Sequence, residues 1–163
     1  MRPVGADDWK DVRALRLEML ADTPMAFTET LDRARDKGEW EWRENAARSN
    51  SMKSVKLAAI TPDGRWIGTM GAYLPAPKAT PVLVGVYVTP DFRGIRFGVT
   101  DALLEGVEAW ARERSDRLSL FVHERNDRAQ AAYRKRGFVL TGRSEPYDLN
   151  RAERDLEMLK SLR

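Results

Sequence analysis

The spacing of apolar residues predicts helices in the first third of the chain. After Asp7 and Asp8, either of which can cap a helix, four apolar residues recur at roughly helical spacing. These residues are Trp9, Val12, Leu15 and Met19. A second helical region is predicted from about Thr30, with an interruption near Gly38 before EWEWRENAAR.

Apolar runs bounded by turn residues predict the strands of a sheet. SVKLAAI and RWIGTMGAYL flank Pro62-Asp63-Gly64 and predict a β-hairpin. VLVGVYV, residues 82 to 88, predicts a strand buried on both faces, and LSLFVH predicts the next strand. FVLTG and RDLEMLKSL are the final strand candidates, although the second run also has helical propensity.

Two further helices are predicted between the later strands. A 3.6-residue period begins at Val99, and NDRAQAAYRKR predicts a helix that Asn126 caps and Gly137 ends. A strand, a crossover helix and the next strand are most easily parallel, whereas the hairpin is antiparallel. The sheet is therefore mixed, and the class is α/β or α+β. Without repeats or linkers, residues 1–163 are expected to form a single domain.

Composition narrows the possible functions. The 28 basic and 25 acidic residues give a net charge of +3, and the two signs are interleaved, so no nucleic-acid partner is expected. The chain has no cysteine, which excludes disulfides, a thiolate nucleophile and thiolate metal sites, and no metal is predicted. No segment is typical of a signal peptide or a membrane span, so no membrane association and a cytoplasmic location are expected.

The segment VYVTPDFRGIRFGV joins the apolar strand to the helix that follows. Gly94 and Gly98 lie four residues apart, beside Arg93 and Arg96. The amides of a helix's first turn and the helix dipole favour an anion, and glycine lets such amides approach a ligand closely. The pattern alone indicates either a phosphate-binding loop or an ordinary tight turn.

A second motif favours the phosphate-binding interpretation. V-x-P-x-x-R-G-x-x-x-G is followed by N-x-x-A-x-x-x-Y-x-x-x-G-F, which begins at Asn126. Together these motifs resemble the GCN5-related N-acetyltransferase superfamily over residues 82–142, and RALRLEMLADTPMAF resembles the opening of small bacterial members. The resemblance implies a mixed, mostly antiparallel central sheet flanked by helices, with acetyl-CoA as cosubstrate at the strand–loop–helix site.

The resemblance also assigns cofactor contacts. It implies that amides of residues 93–98 hold the pyrophosphate, although Arg96 replaces the middle glycine of the family consensus. A non-glycine residue there must avoid a positive φ or accept strain of about 1 kcal/mol or more, and its side chain either points outward or folds over the phosphates. The implied contacts are Val86, Val88, Arg93, Gly94, Ile95, Arg96, Phe97, Gly98, Val99, Asn126, Arg128, Ala129 and Tyr133.

By resemblance, Tyr133 protonates the departing thiolate. A thiol has a pKa of roughly 8.5, against about 10 for tyrosine, so the thiolate is already a tolerable leaving group. The expected rate gain is therefore modest within the ~10² to 10⁴ that acid catalysis usually gives. The alternative is a core tyrosine beside Ala129 and Ala132. The resemblance further implies an oxyanion partner in a backbone N–H near Val88, on a strand that splays from its neighbour, and Gly85 is consistent with such an irregularity.

The sequence leaves open which group deprotonates the amine. Many family members place a glutamate early in the strand before the loop, where this chain has Val82. Glu29, Tyr73 and His123 are the candidates, of which Glu29 is predicted to be the catalytic residue, and solvent alone is a further alternative. Glu29 and Tyr73 are also expected on the substrate side, together with Phe27.

The acceptor itself is also left open. Trp40 and Trp42 face different sides of a helix, so one is expected in the core and the other in a cleft or half exposed. With Phe27 and Tyr73 they are either an aromatic wall for a cationic amine or core residues. The leading hypothesis is an N-acetyltransferase that acts on a primary amine of a small molecule or peptide by direct attack in a ternary complex. A homodimer is possible, because dimers are common in the superfamily. The alternatives are a non-catalytic acyl-CoA sensor of the same fold and a nucleic-acid-binding module.

Overall fold

The computed structural model describes residues 1–163 and contains one seven-stranded sheet and five α-helices. The strands are β1 (Arg2–Pro3), β2 (Ser54–Ile60), β3 (Trp66–Tyr73), β4 (Val82–Val88), β5 (Arg117–His123), β6 (Val139–Tyr147) and β7 (Asn150–Ser161). The helices are α1 (Trp9–Asp22), α2 (Leu31–Arg35), α3 (Glu39–Ala47), α4 (Val99–Arg112) and α5 (Asp127–Arg134). None of these helices is long and apolar enough to cross a membrane.

The sheet is mixed and mostly antiparallel, as the sequence predicts. Its strand order is β1-β2-β3-β4-β5-β7-β6, and β4 and β5 are its one parallel pair. The predicted hairpin is the β2–β3 pair, and both final strand candidates are strands that pair as β6 and β7. The helices cover both faces of this sheet, because each has an apolar side to bury.

Two hydrophobic cores lie on opposite faces of the sheet. On one face, α4 packs Leu103 and Val107 against Leu57 of β2 and the central strands. On the other, α1 and α3 pack residues such as Leu15 and Trp42 against the sheet. Helices therefore cover each face of the sheet, and a ligand reaches the sheet only where the helices of that face leave an opening.

Local turn chemistry sets several element boundaries. The Asn126 side chain accepts the Ala129 N–H at 3.1 Å and so caps α5, and Gly137 follows that helix with a φ of 88°. The capping bond predicted for α1 is wrong. Asp8 stands at the N-cap position, but its carboxylate accepts the Gly5 N–H at 2.6 Å and pairs with an arginine near the N-terminus.

The two parallel strands part soon after they meet. Within β4, Val82 and Leu83 alone pair with β5. The β3–β4 register also shifts, and Gly85 adopts a φ of 60° at this irregularity. Beyond it the strands splay into an open wedge, so the prediction of a strand buried on both faces is wrong at its middle: Val84 is 40% exposed.

Candidate active site

A cleft of about 1490 Å³ crosses the sheet at this wedge. One end lies between the loop before α4 and helix α5, where Gly94, Asn126 and Tyr133 line it. The other end lies on the α1 face of the sheet, where Glu29 and Tyr73 line it. The cleft thus brings together the two sequence motifs and the expected substrate-side residues.

The loop before α4 presents a row of backbone N–H donors. Four of its amides and that of the first residue of α4 donate to no acceptor in the chain: Gly94, Ile95, Arg96, Gly98 and Val99. Gly98 is the N-cap of α4 in the left-handed conformation, with φ 63° and ψ 5°, and Gly94 has a φ of 100°. These positive φ values need glycine, and the donors at the helix N-terminus fit an anionic group such as a pyrophosphate.

Arg93 does not present its own donors to this row. Its N–H donates to the Pro90 carbonyl at 3.2 Å, and its side-chain Nε donates to the Val88 carbonyl at 2.7 Å. Its guanidinium also pairs with Asp22 and lies over the Tyr87 ring, 5.4 Å from the centroid. The residue expected to contact the cofactor therefore holds the loop in place.

Arg96 occupies the position of the missing glycine without backbone strain. Lys78 is the one non-glycine residue with a positive φ, so Arg96 avoids that region. Its guanidinium lies 4.5 Å from the centroid of the exposed Phe97 ring and forms no ion pair. Of the two alternatives for this side chain, the structure shows the outward one.

Helix α5 places three polar groups on the cleft. Asn126 uses Oδ1 for the helix cap, while its Nδ2 has no partner in the chain. Arg128 lines the cleft without an ion pair, and Ala129 packs against the core. The half-buried Tyr133 hydroxyl makes no hydrogen bond in the chain. Burial raises the pKa of Tyr133 to about 12, with a smaller opposing effect of Arg136, so the hydroxyl stays protonated at neutral pH.

Glu29 lies on the cleft but is paired with two cations. Its carboxylate accepts from Arg16 Nε at 3.0 Å and also pairs with Lys37. Burial acts to raise the pKa of Glu29, but the hydrogen bonds and charges of Lys37 and Arg16 outweigh it and lower the pKa below its usual range. A carboxylate held ionised in this way is a weak proton acceptor, which disfavours Glu29 as the base.

His123 is fully engaged within the protein. Its Nδ1 accepts the Arg125 N–H at 3.2 Å, so Nε2 carries the proton toward Glu153, 3.0 Å away. Its ring also packs edge-on against Tyr147 at 4.7 Å. Neither nitrogen of this buried imidazole is available for a substrate proton.

The expected aromatic wall is largely core. Phe27 and Trp42 are 8% and 2% exposed, whereas Trp40 is 67% exposed and lies outside the cleft. Of the four, Tyr73 alone lines the cleft with an exposed side chain, which is 42% exposed. The Phe27 carbonyl accepts the Tyr147 hydroxyl at 2.8 Å, which ties the segment after α1 to the β6–β7 hairpin.

Two cleft residues were missed by the sequence reasoning. Lys56 of β2 is half-buried and has no acidic partner, and burial, helped by the charge of Arg16, lowers its pKa to about 8. Asp155 of β7 is half-buried and has no hydrogen-bond or ion-pair partner. Burial raises the pKa of Asp155, with nearby acids adding to the effect and His123 opposing it. A charge within the apolar run SVKLAAI was the available signal for Lys56, whereas Asp155 follows Glu153 and Arg154 and had no such signal.

Comparison with known proteins agrees with this fold. The profile of the Acetyltransferase (GNAT) family matches residues 15–138. The structure of a nourseothricin acetyltransferase is 29% identical over 68% of this chain and 66% of that chain, with a TM-score of 0.60. No curated protein matches the sequence.

Two structures that contain a coenzyme A ligand have the same fold. The PaiA N-acetyltransferase from Thermoplasma acidophilum, solved with coenzyme A, is 20% identical over 98% of this chain and 96% of that one, with a TM-score of 0.72. A phosphinothricin acetyltransferase from Sinorhizobium meliloti, solved with AcCoA, is 18% identical over 98% and 86%, with a TM-score of 0.76. The fold is that of the GNAT acetyltransferases. The chain belongs to the GNAT family.

Proposed function

We propose that this protein transfers the acetyl group of acetyl-CoA to a primary amine in a ternary complex. The observation that carries the proposal is the row of five unpaired amides before and at the start of α4, which opens onto the wedge between β4 and β5. Family membership and the coenzyme A ligands of the two neighbouring structures support acetyl-CoA as the cosubstrate.

The residues of this end fit coenzyme A. The loop amides and the N-terminus of α4 would bind its pyrophosphate, and the Arg128 guanidinium is available for a second charged group. The backbone of β4 at Val86 and Val88, which does not pair with β5, together with Asn126 Nδ2, would bind the pantetheine arm; at Val88 the carbonyl is already occupied by Arg93. Arg93 contributes by fixing the loop that carries the amides.

The chemistry requires one proton to leave the amine and one to reach sulfur. When bound, acetyl-CoA supplies a thioester whose C–S bond breaks as the new N–C bond forms. The Tyr133 hydroxyl lines the cleft and is protonated. Because the Tyr133 pKa of about 12 lies well above the roughly 8.5 of a thiol, Tyr133 acts chiefly as a hydrogen-bond donor to the departing sulfur, and solvent completes its protonation.

Asp155 is the side chain best placed to accept the amine proton. Leu156 and Met158 of the same strand pack into the α4-side core, so by strand alternation Asp155 faces the α1 side of the sheet. It lines the cleft and, unlike Glu29 and His123, has no hydrogen-bond or ion-pair partner; burial raises the pKa of its carboxyl. An alkylammonium with a pKa near 10.4 needs such an acceptor at neutral pH.

A thiol-release assay tests this function. The full chain is incubated with acetyl-CoA and a panel of small amines and peptide N-termini, and free thiol and acetylated product are both measured. Equal amounts of the two products are expected. Binding of acetyl-CoA in a thermal-shift assay, with no turnover of any amine, would instead favour the non-catalytic acyl-CoA sensor.

A further inference from the structure

One wall of the α1-side end of the cleft contains more nitrogen donors than acceptors. Arg16, Lys37, Lys56 and Trp42 all line it. The carboxylate beside them is Glu29, which pairs with Arg16 and Lys37. The other carboxylates that line the cleft near this end, Glu145, Asp148 and Asp155, come from the β6–β7 hairpin. The first wall therefore has an excess of positive charge and of N–H groups, which a substrate bound there has to match.

Two of these donors have no partner in the protein. The Lys56 ammonium is half-buried and forms neither an ion pair nor a hydrogen bond. The indole Nε1 of Trp42, a residue only 2% exposed, is a buried donor without an acceptor. Because buried polar groups are normally hydrogen-bonded, two unpartnered donors on one cleft wall indicate a ligand with acceptor oxygens.

Lys56 lies in line with the splayed strand. Across the sheet, Lys56 of β2 is opposite Gly71 of β3, which is opposite Val84 of β4. A Cβ on Gly71 would lie 3.6 Å from that of Lys56 and only 2.7 Å from the Val55 carbonyl, so no side chain intervenes. Two strand spacings, about 10 Å, separate the Lys56 and Val84 backbones.

This end is distinct from the predicted pyrophosphate site. The loop amides lie at the N-terminus of α4, whose core is on one face of the sheet. Ala58, two residues from Lys56 on the same strand, packs with α1 and α3 on the opposite face. The unpartnered donors therefore face the acceptor substrate.

We propose that the acceptor is an amine that also bears an acidic group, such as an amino acid, and that Lys56 binds this group, with Arg16 and Trp42 beside it. The inference rests on the proposed function, because it assigns the substrate class of the same site. The acidic group then lies within roughly one to two strand spacings, about 5–10 Å, of the reacting nitrogen. Short α- and ω-amino acids match this separation.

The test compares each amino acid with its own amide. Thiol release is measured for a panel of α-amino acids, β-alanine and γ-aminobutyrate, each beside the corresponding amide, at saturating acetyl-CoA. The amine of an α-amino amide is less basic than that of the acid, so without charge recognition the amide would react at least as fast. We expect kcat/KM to be higher for the acids by about tenfold or more.

Substitutions at Lys56 assign the preference to its charge. Lys56→Met keeps an unbranched side chain one atom shorter without the charge, and it is expected to remove most of the preference by raising the acceptor KM, with the KM for acetyl-CoA unchanged. Lys56→Arg retains the preference, and Lys53→Met, an exposed lysine in the turn before β2, has no effect. Faster reaction of the amides, or an undiminished preference in Lys56→Met, would overturn the inference.

If the proposed function fails, a binding experiment still tests the acid-binding pocket separately. If no amine is acetylated, calorimetry of the same amino acids with the CoA-bound protein decides the inference alone. Binding of the acids that Lys56→Met abolishes and Lys53→Met leaves intact supports an acid-binding pocket. No binding of any acid to the wild-type protein would overturn it.

Discussion

Arg93 and Asp22 form an ion pair that joins the loop before α4 to the last turn of α1. The hydrogen bond from Arg93 lowers the pKa of Asp22, so the carboxylate stays ionised at neutral pH. The same guanidinium donates to the Val88 carbonyl at 2.7 Å. One side chain thus links α1, β4 and the loop that presents the free amides.

Removing the charge of Asp22 is expected to weaken acetyl-CoA binding indirectly. Asp22→Asn leaves Arg93 with a poorer partner, so the loop amides are less well ordered, and we expect Kd to rise about threefold to tenfold, or roughly 1 kcal/mol. Calorimetry with acetyl-CoA measures this. Arg35→Met, which removes an exposed ion pair with Asp32, is the control. An unchanged Kd in Asp22→Asn would contradict the anchoring role.

The Asp22–Arg93 pair also predicts an effect of pH on stability. Because the pKa of Asp22 is lower in the folded than in the unfolded state, the pair stabilises the fold above the unfolded value of 3.8, and this is lost as pH falls through the folded pKa. The free energy of unfolding of Asp22→Asn should therefore converge with that of wild type in strong acid. A difference that persists there would indicate some other role for Asp22.

Tyr133→Phe separates catalysis from binding. The hydroxyl has no partner in the chain, so its loss should leave the fold and the packing against Phe138 intact. We expect kcat to fall about tenfold to a hundredfold, within the range of acid catalysis, with little change in the Kd of acetyl-CoA. Steady-state kinetics and calorimetry provide the two values. Equal losses in both would show that Tyr133 is a structural residue.

Local chemistry made much of the fold predictable. The strand at residues 82–88 has the predicted bounds, and Pro62-Asp63-Gly64 separates the two strands of the hairpin as expected. The Asn126 cap is also confirmed. Each of these features depends on residues within a few positions of one another, where turn and cap preferences act directly.

The composition of the acceptor end depends on contacts that sequence spacing does not show. Lys56 and Asp155 come from strands at separate places in the chain and meet one cleft only after β3, β4 and β5 have assembled between them. Glu29 is close to Phe27, as expected, but its pairing with Arg16 and Lys37 comes from other elements and alters its chemistry. A local pattern does not reveal which charge such a residue will meet.

Asp155→Asn tests the proposed proton acceptor. We expect kcat/KM to fall about tenfold to a thousandfold. In the wild type, protonation of Asp155 lowers the activity as the pH falls, and the variant should no longer show this loss. Because folding raises the pKa of Asp155, its ionised form destabilises the fold at neutral pH, so the variant should not have a lower Tm. Glu157→Gln, on the same strand, is the control. An unchanged pH profile would exclude Asp155 as the base.

The charge of Lys56 predicts that recognition of an acidic acceptor depends on pH. Lys56 lies near Arg16, with Lys37 and Glu29 also at this end of the cleft, and its pKa of about 8 leaves it mostly protonated at pH 7. Above that value the ammonium loses its proton. The ratio of kcat/KM for an amino acid to that for its amide should therefore fall as pH rises through about 8.

The substrates alone predict the opposite trend, which makes this test specific. The amine of the amino acid is more basic than that of the amide, so it becomes neutral at a higher pH. Without an effect of Lys56, the ratio of kcat/KM for the acid to that for the amide would therefore rise with pH. Lys56→Met should show only that rise. In the folded wild type the pKa of Lys56 is about 8, below the 10.5 of an unperturbed lysine. The free energy of unfolding should therefore also increase as pH rises from about 8 to 10.5, and Lys56→Met should lose that increase. A wild-type ratio that rises as in Lys56→Met would show that Lys56 does not bind the acidic group.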